Sequence, residues 1–362
     1  MGQSGKNSFQ IACCYVGAVI GAGFASGQEL WSFFVVYGRE SLKGLCLAGG
    51  LFCLYALVVL LKIYRCKVTS LSDYFSGVLG RKTLSVLQAA VYLFMFSSFC
   101  VMVAGSGALV KQAAGLPVTV GILLMAGICF IIFLFDARGV VSANAVLSPL
   151  MILGILVVWA GVLFTGCAPV FRVTTALSRM TNNYIASAIV YVSYNTITLC
   201  ALFIPLRQYL NRARTAVFAA LSGSIVLAAV AGVLWWLLYV FRGQAAQYDL
   251  PMLYIAGRVD KLVQILYVAV LYMAMVTTAV SSGFGFLSWA RTRVKIGIGP
   301  LAALLCLAAV PLSYAGFAPL VGSLYRLFGY VGMFFLVLVL IDGIYSLFRP
   351  KNIQFSSKSA YF

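Results

Sequence analysis

Apolar stretches long enough to cross a membrane recur almost from end to end of the 362-residue chain. A helix needs about 20 mostly apolar residues to cross the hydrocarbon core of a bilayer. Only 9% of the residues are charged, against roughly 25% in soluble domains. The pattern predicts an all-α polytopic membrane protein of about ten spans, at roughly 8–37, 42–62, 84–110, 117–135, 139–165, 183–206, 214–241, 262–289, 296–315 and 320–347.

The connections between these spans are too short and too apolar to form a soluble domain. We therefore expect one transmembrane domain over residues 1–362. Its first repeat would cover about 8–165 and its second about 183–347. The polar stretch from Arg242 to Lys261 is expected to form a short surface helix that caps the fold.

The net charge of +18 is spread over the connections rather than gathered on one face. Scattered basic residues indicate membrane topology, because Lys and Arg collect in cytoplasmic loops. Nucleic-acid binding would need a contiguous basic surface, so no nucleic-acid partner is expected. Most basic residues, Lys62, Arg65 and Arg207 among them, fall on the side of the N-terminus. This bias predicts that both termini are cytoplasmic.

The ten cysteines lie mostly inside apolar runs, and the chain has no histidine. We interpret them as small, reduced, buried side chains. Zinc or haem sites are not expected, and neither is an enzyme. Asp136 is expected to pair with Arg138 at a membrane edge, while Asp342 stays ambiguous.

The first span contains four glycines followed at once by polar side chains. Close helix packing accounts for small residues in a span, but not for a serine, a glutamine and an acid next to them. Irregular backbone at membrane depth is tolerated only where it is buried in protein or lines a cavity. The sequence therefore predicts an unwound helix that faces a binding site, formed by Gly17, Gly21, Gly23, Gly27, Ser26, Gln28 and Glu29.

The sixth span carries a weaker version of this signal, since Ser193, Asn195, Thr196 and Thr198 put polar groups on several of its sides. Spans one and six hold corresponding positions in two five-span halves. Interrupted helices at matching positions of two halves indicate a transporter site. We therefore predict that helix six is broken as well as helix one.

The eighth span holds a row of hydroxyl groups from Thr277, Thr278, Ser281 and Ser282. Such groups can be satisfied by the helix's own carbonyls. Hydroxyl and carbonyl oxygens are also the ligands that a hard cation prefers. The row therefore indicates either simple packing or a Na⁺ site.

The run from Val19 to Glu29 resembles the YkvI-like family of bacterial membrane proteins, within the amino acid–polyamine–organocation superfamily. The resemblance covers the whole chain in length and span count, and its most specific part is the first thirty or so residues. It implies the LeuT-like fold, a five-plus-five inverted repeat, in the bacterial inner membrane.

The resemblance also implies a site. Gly21-Ala22-Gly23 matches the superfamily's Gly-x-Gly signature, whose amides bind a substrate carboxylate, and Phe24 follows it. In sodium-coupled relatives Na⁺ is held by groups that match the carbonyls of Gly17, Ile20 and Ala274 and the hydroxyls of Thr277 and Thr278. Proton-coupled relatives can place a lysine in span five instead. Residues 139–165 contain none, which favours Na⁺ as the coupling ion.

Glu29 departs from the superfamily pattern, which continues with apolar residues after Gly-x-Gly. An acid at this depth is costly to keep ionised, so Glu29 is expected to recognise a cationic group or to carry a proton. The resemblance places Phe96 of span three and Tyr191, Tyr194 and Asn195 of span six at the walls of the site.

The leading hypothesis is a secondary transporter of a small amino-acid-like or zwitterionic solute, coupled to Na⁺. A proton-coupled carrier using Glu29 is one alternative. A non-transporting, germinant-receptor-like sensing subunit with the same fold is another. The substrate, the direction of transport and the oligomeric state are left open.

Overall fold

A computed structural model describes residues 3–75, 80–135, 140–166, 181, 183–294 and 296–348. The α-helices are α1 Gln3–Val19, α2 Ala22–Ala25, α3 Gln28–Phe33, α4 Ser41–Cys66, α5 Leu71–Phe75, α6 Arg81–Ala114, α7 Val118–Leu134, α8 Val140–Thr165, α9 Tyr184–Phe203, α10 Ala213–Val240, α11 Arg242–Ala245, α12 Pro251–Val259, α13 Lys261–Arg293, α14 Ile298–Ser313, α15 Phe317–Leu320 and α16 Arg326–Phe348. Two 3₁₀ segments, Val35–Glu40 and Pro205–Tyr209, and a π-helical turn, Val321–Tyr325, adjoin them.

Six stretches in the described ranges are long and apolar enough to cross a membrane, by length and composition: Val35–Cys66, Ser85–Ala114, Leu147–Thr165, Ala213–Val240, Lys261–Arg293 and Phe317–Ser346. Three further apolar helices are shorter: Val118–Leu134, Tyr184–Cys200 and Ile298–Ser313. These helices agree with a multi-pass membrane protein. The count of ten spans stays a prediction.

The first span is interrupted twice, as its glycines predicted. Helix α1 ends at Val19, and Gly21 is extended, with φ −96° and ψ −174°. Gly27 separates α2 from α3 with φ +83°, a left-handed conformation that glycine adopts without the steric cost of a Cβ. The local sequence therefore determines where this helix breaks.

The prediction of a broken sixth helix is wrong, because α9 runs without interruption from Tyr184 to Phe203. Its polar side chains bond back to carbonyls of the same helix. Ser193 Oγ donates to Ile189 O at 2.6 Å and Thr196 Oγ1 donates to Ser193 O at 2.7 Å. Hydroxyl groups satisfied in this way place no demand on the backbone to unwind.

The packing brings α9 between α4 and α16, sets α13 against α6 and α8, and places α10 beside α1 and α4. The predicted capping helix is present as α12. One of its faces is buried rather than on the surface, since Met252, Leu253 and Ile255 are inaccessible. The Met252 amide donates to Ser26 O at 3.1 Å, so α12 closes directly over the interrupted first span.

Replacing Gly27 with alanine is expected to destabilise the protein. A Cβ there would lie 3.0 Å from carbons of Leu238 and Met252, and the left-handed conformation itself costs about 1–2 kcal/mol for a residue with a Cβ. The midpoint of thermal unfolding in detergent should fall for Gly27→Ala. Gly50→Ala is the control, because nothing lies within 4 Å of a Cβ on Gly50. Equal midpoints for the two variants would contradict the strained break.

Candidate functional site

The first break releases backbone groups from helical pairing. The Gly21 amide donates to Val19 O at 3.0 Å, whereas a continuous helix would pair it with Gly17 O. The carbonyl of Gly17 therefore loses its helical donor. Beyond the break, Ala22 and Gly23 begin a new helix, and the first amides of a helix have no partner within it.

The second break is held in place by side chains and by a neighbouring helix. Ser26 Oγ donates to Gly23 O at 2.8 Å. The Tyr267 hydroxyl of α13 donates to Ala25 O at 2.6 Å, and the Met252 amide of α12 donates to Ser26 O. The backbone around Gly27 is thus satisfied by the protein itself, as membrane depth requires.

Glu29, in the first turn of α3, is a buried carboxylate with 6% of its surface exposed. Its Oε2 accepts a hydrogen bond of 2.6 Å from the Tyr194 hydroxyl, and its Oε1 lies directly against Gly23. The ion pairs found among the described residues join other side chains. At membrane depth such a carboxylate is stable only with a proton or a cation.

Aromatic rings surround the carboxylate's partner Tyr194. Its ring centroid lies 4.9 Å from Tyr325, 5.5 Å from Tyr191, 5.7 Å from Phe33 and 6.1 Å from Phe94. The rings come from α3, α6, α9 and the π-helical turn. Glu29 therefore lies in a compartment whose walls are aromatic.

The Tyr191 hydroxyl is a buried polar group of this compartment that has no hydrogen-bond partner among the described residues. Tyr191 is 2% exposed, and its oxygen makes no hydrogen bond in the part of the chain that the structure describes. It lies within electrostatic range of Glu29. An unpaired buried hydroxyl costs about 1–3 kcal/mol, so the structure tolerates one unsatisfied hydroxyl near a carboxylate that has a hydrogen bond but no ion-pair partner among the described residues.

The other predicted wall residues lie at different places. Asn195 keeps 7% of its surface exposed and donates to Tyr191 O at 2.9 Å. Phe96 packs on Phe286 of α13 with centroids 5.4 Å apart. The residue of α6 that approaches Tyr194 is Phe94, which sequence reasoning missed. Residues two apart point to nearly opposite faces of a helix, and the apolar sequence of α6 gave no signal for its rotation.

The hydroxyl row of α13 lies on a helix that packs against α2. Ala274 is 1% exposed and Thr277 is 9% exposed, while Thr278 is partly buried. Thr277 Oγ1 donates to Ala274 O at 3.1 Å. A hydroxyl that donates its hydrogen keeps its oxygen lone pairs for another ligand. The Thr277 oxygen therefore remains available to coordinate a cation. The assignment of Na⁺ to these groups stays a prediction.

Two predicted groups remain, Ile20 at the first break and the Asp136–Arg138 pair. Ile20 is fully buried, and its amide donates to Val16 O at 2.8 Å. The predicted Asp136–Arg138 pair falls outside the described residues.

Two relatives match the chain along nearly its whole length. The membrane protein YkvI of Bacillus subtilis (strain 168) is 23% identical over 340 residues, which cover 93% of this chain and 96% of YkvI. The protein YyaD of the same organism is 25% identical over 331 residues, or 91% of this chain and 95% of YyaD. No family model matches the chain. The chain is therefore similar to YkvI and YyaD, and membership of the superfamily stays an expectation.

Solved structures identify the fold. A manganese transporter of Eremococcus coleocola, crystallised with an aromatic bis-isothiourea compound, matches with a TM-score of 0.60 and 12% identity, covering 92% of this chain and 78% of that one. The inward-facing conformation of Mhp1 matches with a TM-score of 0.54 and 10% identity, covering 94% and 76%. Both are LeuT-like. The chain thus has a fold found in membrane transporters rather than in enzymes.

The contact between Gly23 and Glu29 can be tested with two neighbouring glycines. A Cβ on Gly23 would overlap Glu29 Oε1, whereas a Cβ on Gly21 would meet nothing within 4 Å. Gly23→Ala should displace the carboxylate from Tyr194 and cost about 1–3 kcal/mol, as expected for a lost buried hydrogen bond to a charged group. The midpoint of thermal unfolding should fall for Gly23→Ala and hold for Gly21→Ala. Tolerance of both alanines would show that Glu29 does not pack on Gly23.

Proposed function

We propose that this protein is a secondary transporter that moves a small amino-acid-like or zwitterionic solute by alternating access. The observation that carries the proposal is the buried carboxylate of Glu29, which lies at the interruption of the first span without an ion-pair partner among the described residues. The LeuT-like fold supports it. Manganese transport belongs to the matched Eremococcus protein and does not extend to this chain at 12% identity.

The compartment around Glu29 favours a solute with an ammonium group. A primary or secondary ammonium has N–H donors for the Glu29 carboxylate and for the unpartnered oxygen of Tyr191. The faces of the surrounding tyrosine rings attract organic cations. One ammonium group would therefore balance the charge of Glu29, which has no ion-pair partner among the described residues, and pair with the hydroxyl oxygen of Tyr191.

The amides at the first break are the candidates for the solute's carboxylate. Gly21 is extended, and the amides of Ala22 and Gly23 open a new helix without intrahelical partners. Phe24 is 1% exposed and borders the same turn. Glu29 Oε1 touches Gly23, so an amino acid could place its two charged groups on either side of this glycine.

Coupling to Na⁺ is proposed through the carbonyls of Gly17, Ile20 and Ala274 and the hydroxyls of Thr277 and Thr278. The released carbonyl of Gly17 and the free lone pairs of Thr277 support it. Oxygen ligands of this kind suit a hard cation.

Proton coupling through Glu29 is the second candidate function. It is favoured by the same observation, because a carboxylate without a cation at this depth is also stabilised by a proton. In this case Glu29 would exchange its proton during each transport cycle.

Sodium binding predicts a specific stabilisation. The midpoint of thermal unfolding should be higher in NaCl than in KCl, because a ligand that binds only the folded state adds about 2.7 kcal/mol at 100 times its Kd. Thr277→Ala and Thr278→Ala should remove most of this difference. Thr292→Ala is the matched control, since Thr292 is an exposed residue of the same helix whose hydroxyl also bonds back, to Trp289 O at 2.7 Å.

Equal midpoints in NaCl and KCl for the unmodified protein would contradict sodium coupling. So would a sodium effect that survives both threonine substitutions.

The charge of the Glu29 carboxylate, which has no ion-pair partner among the described residues, leads to a prediction about the class of ligand. In a thermal-shift screen of amino acids and small amines, we expect the stabilising compounds to carry an ammonium group. Glu29→Gln should abolish their effect, because the amide cannot balance the charge. Glu40→Gln is the control, since Glu40 is a surface acid, 45% exposed.

The alternatives give different results in the same screen. If amine binding changes with pH in the unmodified protein, and if Glu29→Gln keeps the binding but removes this change, Glu29 would be assigned to proton coupling. Stabilisation only by compounds without an ammonium group would refute the proposed solute class.

A further inference from the structure

A second buried acid lies on a different helix from Glu29, and it has a basic partner. Lys62 of α4 forms an ion pair with Asp342 of α16, 280 residues away in sequence. The two residues are 5% and 8% exposed. The sequence placed Lys62 at the end of the second predicted span, on the cytoplasmic side; it lies within α4, and the ambiguous Asp342 has its partner here.

The short helix α5 covers this pair. Lys62 Nζ donates to Tyr74 O at 2.8 Å and lies 3.8 Å from the centre of the Tyr74 ring. The Tyr74 hydroxyl donates to Val339 O at 3.5 Å, and Phe75 packs on Phe335 with centroids 5.5 Å apart. The α5 segment, which belongs to the connection between α4 and α6, is therefore tied to both helices of the ion pair.

The pair is linked to the candidate site by α9, which packs against α4 and α16. Cys200 of α9 is fully buried beside Tyr55 and within electrostatic range of Lys62. Tyr194, the partner of Glu29, lies about 9 Å away along the same helix at 1.5 Å per residue. Helix α9 thus has residues near both the ion pair and the site.

The energetics of a buried ion pair suit a contact that opens and closes. The loss of hydration largely offsets the attraction between the two charges, yet removal of one partner is costly because the other is left unpaired. If water enters, both ions regain hydration. The pair can therefore hold a dry, closed state and separate once the pathway fills with water.

We propose that the Lys62–Asp342 pair, covered by α5, is the gate that closes the pathway between Glu29 and the end of the protein where α4 and α16 terminate. The basic residues of the sequence predict that this end is cytoplasmic. The inference rests on the alternating-access function proposed above. It assigns the pair and α5 to the step in which the solute leaves the site or enters it from that end.

Native cysteines provide the test, because a thiol reagent reaches buried cysteines only where water enters. The rate of N-ethylmaleimide labelling would be measured for each cysteine by peptide mass spectrometry of the purified full-length protein. Lys62→Met and Asp342→Asn should each raise the rate at Cys200 at least about fivefold. The rates at Cys100 and Cys129, which are buried elsewhere, should stay constant. Lys43→Met is the matched control, since it removes a surface ion pair from the same helix.

The charge-swapped variant Lys62→Asp/Asp342→Lys separates the gate from general stability. It should restore the protection of Cys200. Unchanged labelling in both single variants would overturn the proposal. A uniform rise at all three cysteines would also overturn it, because the pair would then stabilise the whole fold. The measurement needs no solute, so a Cys200 response without any transport would refute the proposed function alone.

Discussion

Backbone groups at membrane depth have no water to bond with, and this constraint governs the interrupted first span. Each break has to be satisfied by the protein or by a ligand. At Gly27 the protein supplies the partners, through Ser26, Met252 and Tyr267. At Gly21 it pairs the displaced amide only locally, with Val19. The first break is therefore the more plausible place for a ligand to bind, and the second gives it a rigid support.

The two buried acids, Asp342 and Glu29, have different partners and therefore different roles. Asp342 has Lys62, two helices hold the pair, and a third covers it. Glu29 has the hydroxyl of Tyr194 and an aromatic wall. In the first arrangement the two charges balance each other, and the pair joins α4 to α16. The second has no ion-pair partner among the described residues and needs a cation or a proton, which makes Glu29 the group that links structure to function.

Local signals in the sequence predicted local structure. The break in the first span was predictable because glycines and polar residues are concentrated within a few turns. The sixth span was mispredicted because Ser193 and Thr196 bond to their own helix, and the same residue types serve a broken helix equally well. The approach of Phe94 to Tyr194 and the Lys62–Asp342 pair depend on helix rotation and long-range packing, which periodicity in an almost uniformly apolar chain does not reveal.

Concentrative uptake into proteoliposomes tests the central claim most directly. The probe is a radiolabelled form of an ammonium compound that stabilises the purified protein. We predict that it accumulates inside above its external concentration under an inward Na⁺ gradient, and that Glu29→Gln abolishes the accumulation. A compound that binds the purified protein but does not accumulate under either a Na⁺ or a proton gradient would contradict secondary transport.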